Sequence, residues 1–200
     1  ALHKDTLEHF GMVKIDDETA ELLNKFTKLS SLEMKKISPN FTKTDNIKTI
    51  VTERRVVHER WPQQFPFVES LECRSDDYEY LNQFQQLKTL KIDGGPEWDA
   101  ALFPLTVKNL CIENCQMSDD RPFPFDGNKI ENLELIDVDD DKWLREYLKR
   151  PETRLKVLKL KLWSYSEFDF EFKRVLHENR HKIDFLEVRS GKDGKLIENL

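Results

Sequence analysis

The chain has little cysteine, little glycine, no long apolar run and no excess of basic charge, and each shortage excludes something. Its three cysteines, Cys73, Cys111 and Cys115, are an odd number without framework spacing. That excludes a disulfide scaffold and fits a reducing compartment. Six glycines leave little material for phosphate-cradling loops, and the patterns G-x-x-x-x-G-K-[ST], G-x-G-x-x-G and G-x-S-x-G do not occur. No stretch approaches about 18 apolar residues and no signal-peptide pattern opens the sequence, so a soluble segment without a membrane span is expected. Basic residues number 32 against 38 acidic ones, mixed along the length for a net charge of −6. A nucleic-acid partner, which calls for a basic stripe, is therefore not expected. What the chain does hold is thirteen Phe and four Trp, too much aromatic surface for a disordered polymer.

The main signal is a repeat. An apolar residue, two variable residues, Leu or Ile, one variable residue and another apolar residue recur down the chain. The motif reads Leu29-x-x-Leu32-x-Met34, Val68-x-x-Leu71-x-Cys73, Leu87-x-x-Leu90-x-Ile92 and Val107-x-x-Leu110-x-Ile112. It continues as Ile130-x-x-Leu133-x-Leu135, Leu155-x-x-Leu158-x-Leu160 and Ile183-x-x-Leu186-x-Val188, and Ile47-x-x-Ile50-x-Thr52 fills the first gap. Successive motifs begin 18 residues apart at the closest (47 less 29) and 28 at the widest (183 less 155). In a short strand the two apolar positions point to one face and the residue between them to the other. The intervening segments read as short returns. Asp76 and Asp77 can cap a helix through Tyr80, Leu81 and Phe84, and Pro96 can open one around Trp98 and Leu102. Asp139 to Asp141 precede an inward stripe of Trp143, Leu144, Tyr147 and Leu148. A longer return over 167–180 buries Phe168, Phe172, Val175 and Leu176. The prolines of Arg121-Pro-Phe-Pro-Phe125 predict extended backbone.

This spacing and motif resemble the leucine-rich-repeat superfamily, whose units run to about 20–29 residues. The resemblance covers roughly residues 20–190, and Asn114 sits near the family's Asn/Cys position. It implies an α/β solenoid with a parallel sheet on the concave face and short helices or extended returns on the convex face. One domain over 1–200 is expected: an N-terminal helical cap over about 1–28, repeats over 29–190, and a tail or the start of a further unit over 191–200. A doubly wound α/β domain also alternates strand and helix, but its βαβ units need about 30 residues or more.

Three motifs could carry chemistry. His177-Glu178-Asn179-Arg180-His181 matches H-E-x-x-H, which on a continuous helix would hold zinc with the Glu as general base. Arg180 lies between the histidines and a core strand motif starts at Ile183, so a solvated helix end is expected instead. Asp137-x-Asp139-x-Asp141 resembles the start of a calcium loop but has Lys142 where Gly is needed and Leu148 where Glu is needed. Cys111 and Cys115 lack a second Cys/His pair. No catalytic residue, metal or cofactor is assigned.

The outward strand positions are Glu33, Glu72, Lys91, Cys111, Glu134, Lys159 and Glu187, flanked by Arg74, Lys88, Asp93, Lys108, Glu113, Lys156, Lys161 and Arg189. Phe185 and Leu162 can add apolar surface. Such a face is either a solvated sheet whose charges pair with one another or a protein-recognition surface. The expected function is a scaffold or adaptor that binds another protein through Glu72, Arg74, Lys91, Asp93, Glu113, Glu134, Lys159, Lys161, Glu187 and Arg189. Within the superfamily the substrate-receptor part of F-box-type ubiquitin ligases is an alternative, and a zinc hydrolase through His177, Glu178 and His181 is the alternative of another class. The expected location is the cytoplasm or nucleus. The sequon at Asn40-Phe41-Thr42 would matter only in a secreted protein.

Overall fold

The computed structural model describes residues 6–38, 40–42, 45–52, 59–74, 80–94, 104–114, 129–138, 142–162, 170–190 and 195–199. Among the described residues ten strands form one sheet in strict sequence order. They are β1 (His9–Ile15), β2 (Ser31–Ile37), β3 (Thr49–Val51), β4 (Ser70–Arg74), β5 (Thr89–Asp93), β6 (Asn109–Glu113), β7 (Asn132–Ile136), β8 (Leu155–Leu162), β9 (Ile183–Ser190) and β10 (Lys195–Asn199). The first nine are parallel, and β10 turns back antiparallel to β9. The helices are α1 (Asp17–Leu23), α2 (Trp61–Gln64), α3 (Lys142–Lys149) and α4 (Phe170–Glu178).

The register aligns the sequence motif with itself. Leu32, Ile50, Leu71, Leu90, Leu110, Leu133, Leu158 and Leu186 are successive partners across the sheet. All are buried, at 2% exposure or less. Side chains between them on β4 to β7 are half-exposed, as a period of two requires. Returns close the core: Ala20 and Leu23 of α1, Leu144, Tyr147 and Leu148 of α3, and Phe172, Val175 and Leu176 of α4 join one apolar cluster with the strand leucines. Trp61 and Phe65 meet edge to face at 6.2 Å beside Phe41. The expected helix through Tyr80 is a 3-10 turn over 80–83, with Leu81 and Phe84 buried.

Backbone hydrogen bonds repeat with the units. At the entrances of β2 to β8 one carbonyl accepts from two successive amides of the next strand's segment. Glu69 O takes Lys88 N and Thr89 N at 2.8 and 2.9 Å, and Lys88 O takes Lys108 N and Asn109 N at 2.9 and 3.0 Å. At strand exits, Gly94, Asn114 and Asp137 occupy the left-handed region, with φ of 77°, 51° and 52°. Their amides donate to Glu113 O, Ile136 O and Lys161 O of the next strands at 2.8, 2.9 and 2.8 Å. Gly, Asn and Asp are the residues that tolerate this conformation.

Two expectations about the ends require correction. The stretch expected to form a helical cap over 1–28 carries β1 before α1. Leu7-x-x-Phe10-x-Met12 is itself the motif, with Phe10 paired to Leu32 and Met12 to Met34. Phe at the leucine position and Gly11 beside it disguise the pattern. Within the stretch over 191–200 expected as a tail or the start of a further unit, Lys195–Asn199 form β10, which runs back antiparallel to β9. Asp76, Asp77, Asp139 to Asp141, the 96–102 return, the 121–125 segment, Phe168 and Cys115 lie outside the described residues. So do the side chains of Trp143 and Leu162.

Candidate functional site

Strands β4 to β9 carry three rows of side chains on the face turned away from the core. The row nearest the strand entrances is neutral: Ser70, Thr89, Asn109, Asn132, Val157 and Phe185 are successive partners. Its middle is a ladder in which Asn132 Nδ2 donates to Asn109 Oδ1 at 2.6 Å and Asn109 Nδ2 to Thr89 Oγ1 at 3.0 Å. The row then turns apolar, and Phe185 keeps 37% exposure. Apart from Phe185, this row was not singled out in the sequence, where a Thr or Asn just before a leucine looks unremarkable. Reading two residues back from each outward charge would have found it.

The middle row runs Glu72, Lys91, Cys111, Glu134, Lys159, Glu187. Lys91 Nζ lies 3.2 Å from Glu72 Oε1 and 3.3 Å from Glu113 Oε2. Burial opposes its charge, but the two carboxylates together outweigh that and raise its pKa. Cys111 is pushed up to about 12 by burial and by the negative charges of Glu134 and Glu113. Its thiol stays protonated at neutral pH and is a poor nucleophile. Glu187 is depressed because Arg189 Nε donates to its Oε1 at 2.7 Å. Glu134 and Lys159 make no ion pair among the described residues. The outermost row holds Arg74, Asp93, Glu113, Ile136, Lys161 and Arg189. All ten residues expected at the site thus stand on one face, in two adjacent rows.

An open depression of about 750 Å3 lies on this face. Its floor includes the Thr89–Asn109–Asn132 ladder, Cys111 and Val157, and Glu113, Glu134, Lys159, Phe185 and Glu187 also line it. The arrangement offers amide and carboxylate acceptors, two cations (Lys91 and Lys159) and an apolar step, a set suited to recognition.

The other motifs lie elsewhere. Helix α4 ends at Glu178, and Arg180–Lys182 form a 3-10 turn. His177 and His181 are both exposed on either side of that break, so the two imidazoles do not share one helical face. Among the described residues no cluster of three His, Cys, Asp or Glu side chains is placed to hold a metal ion. His9 Nδ1 sits 2.9 Å from Ser31 Oγ and its Nε2 is 3.9 Å from Glu33 Oε2. These are cross-strand neighbours near the β1 edge, away from the depression. No helix among the described residues is long and apolar enough to cross a membrane. Compared with models of protein families, with curated proteins and with solved structures, the chain matches none.

Proposed function

We propose that the chain is a leucine-rich-repeat solenoid that works as a scaffold or adaptor, binding another protein through the open, concave face of its sheet. The observation that carries this reading is the open face itself. Parallel sheets are ordinarily covered on both sides, because their βαβ crossovers place helices there. Here one face of nine parallel strands is packed against the returns, while the other presents half-exposed polar and charged rows around a depression. The sequential strand order, repeated entrance and exit hydrogen bonds and short units support a stack of repeats. Cytoplasm or nucleus is part of the same reading, supported by the odd, sparse cysteines.

The test exchanges two charges without changing the net charge. Glu134→Lys with Lys159→Glu reverses the two middle-row charges that make no ion pair among the described residues. It keeps that pair opposite but sets a carboxylate beside Glu187, so the variant's melting temperature is measured alongside binding. The matched control, Glu146→Lys with Lys149→Glu, reverses an exposed ion pair of 2.9 Å on α3. Partners are identified by affinity purification and mass spectrometry, then titrated against each variant. The strand-face exchange should weaken binding by about tenfold or more, as displaced interfacial charges do, and the control should not. Loss with the control and retention with the strand-face exchange would place recognition on the helical side.

A further inference from the structure

The two charged rows of the open face follow different rules. In the middle row signs alternate, apart from Cys111, so neighbouring strands set opposite charges side by side. The outer row opens on one opposite pair, Arg74 beside Asp93, and from there segregates them: Asp93 partners Glu113, then comes Ile136, then Lys161 partners Arg189. Like charges set side by side across strands destabilise a sheet. The acidic pair is compensated, since Glu113 holds Lys91 at 3.3 Å, and Asp93 has Arg74 as its other cross-strand neighbour and accepts from Asn114 Nδ2 at 2.8 Å. At the basic end one of the two residues is compensated. Arg189 turns back to Glu187, whereas exposed Lys161 makes no ion pair among the described residues. Cross-strand pairing within the sheet does not account for Lys161 beside Arg189. An occupant of complementary order does.

We infer that the outer row receives an extended protein segment laid across the strands, basic over Asp93 and Glu113, apolar over Ile136 and acidic over Lys161 and Arg189. This rests on the open face being the recognition surface and specifies what that surface reads. Three strand spacings of about 4.8 Å separate the acidic pair from the basic pair, roughly 14 Å. An extended segment covers about 13 Å in four residue steps, and its alternate side chains share one face. A basic, an apolar and an acidic residue at first, third and fifth positions therefore match the row. Burying Ile136 under the central residue excludes water from both charge contacts and strengthens them.

The probes are capped pentapeptides coupled densely to a sensor surface, over which the intact chain is passed at low salt. Lys-Ser-Ile-Ser-Glu carries the matching order. Lys-Ser-Ile-Ser-Lys and Glu-Ser-Ile-Ser-Glu carry one sign, and Lys-Glu-Ile-Ser-Ser keeps both signs without the separation. The first should bind about fivefold or more tightly than the other three. In Lys161→Glu its advantage over Lys-Ser-Ile-Ser-Lys should vanish, while the melting temperature stays level or rises because Arg189 gains an opposite neighbour. Lys161→Gln provides the same comparison without a new negative charge and should give a smaller loss. Equal binding of all four, no binding of any, or an unchanged preference in both variants would overturn the inference. If the Glu134 and Lys159 exchange still abolishes partner binding in that event, the open face remains the recognition surface and only the charge order is wrong.

Discussion

Single residues in this fold divide sharply by which way they point, and adjacent positions should differ severalfold in consequence. Leu133 is 1% exposed and Glu134 beside it is half-exposed. Leu133→Ala should cost about 2–5 kcal/mol, the range for a buried large-to-small change, and Glu134→Ala within about 0.5 kcal/mol. Urea titration of both variants checks this, and equal losses would contradict the inward and outward assignment. Lys182 is an exception to the rule that charge stays outside. It is buried, and its Nζ donates to Leu148 O at 2.8 Å and Arg150 O at 3.0 Å, closing the C-terminal end of α3. Desolvation first, and Arg154 second, lower its pKa. Lys182→Ala should destabilise by about 1–3 kcal/mol, measured by the same titration, because two carbonyls lose their donor. The leucines were legible in the sequence because burial imposes a period of two. Lys182 was not, since its partners lie 34 and 32 residues away.

Elements owe their boundaries to small local devices. The left-handed exit of β5 is held by Gly94, and a Cβ added there would meet nothing within 4 Å among the described residues. Gly94→Ala should therefore cost only the backbone strain, about 1–2 kcal/mol, and Gly94→Asn clearly less. Thermal melts of the two variants make the comparison, and equal costs would show that side-chain crowding is involved after all. At the strand entrances Glu131 accepts from Lys156 at 2.5 Å and from Lys108 at 2.9 Å, which depress it to about 2. A carboxylate lowered in the folded state stabilises above its unfolded pKa, about 4.3, and loses that contribution as pH falls toward its folded value. The stability gap between the natural chain and Glu131→Gln should accordingly shrink between about pH 4.3 and pH 2. A gap independent of pH would mean that this exposed pairing contributes nothing. Both devices recur by unit, yet only Asn114 gave a hint in the sequence, because Gly94, Asn114 and Asp137 share a conformation but not an identity. The strand β1 escaped for a related reason: Phe10 and Gly11 fill motif positions that other units give to Leu or Ile and to polar residues.

Across the whole molecule, the existence and face of β2 to β9 were readable from the repeated motif, while β1 and β10 were not, and the ten expected site residues do share one surface. The neutral Thr89–Asn109–Asn132 ladder and the depression it floors were not readable, because they depend on register between strands about 20 residues apart. The proposed recognition surface has Cys111 near its middle, half-exposed, while Leu110 and Ile112 on either side are buried. Cys111→Trp therefore fills the depression from its floor and leaves the core alone. If a partner docks there, the variant should melt within a few degrees of the natural chain and bind that partner about tenfold or more weakly in a direct titration. Undiminished binding by a variant that melts normally would contradict the central claim that the open sheet face is the recognition surface.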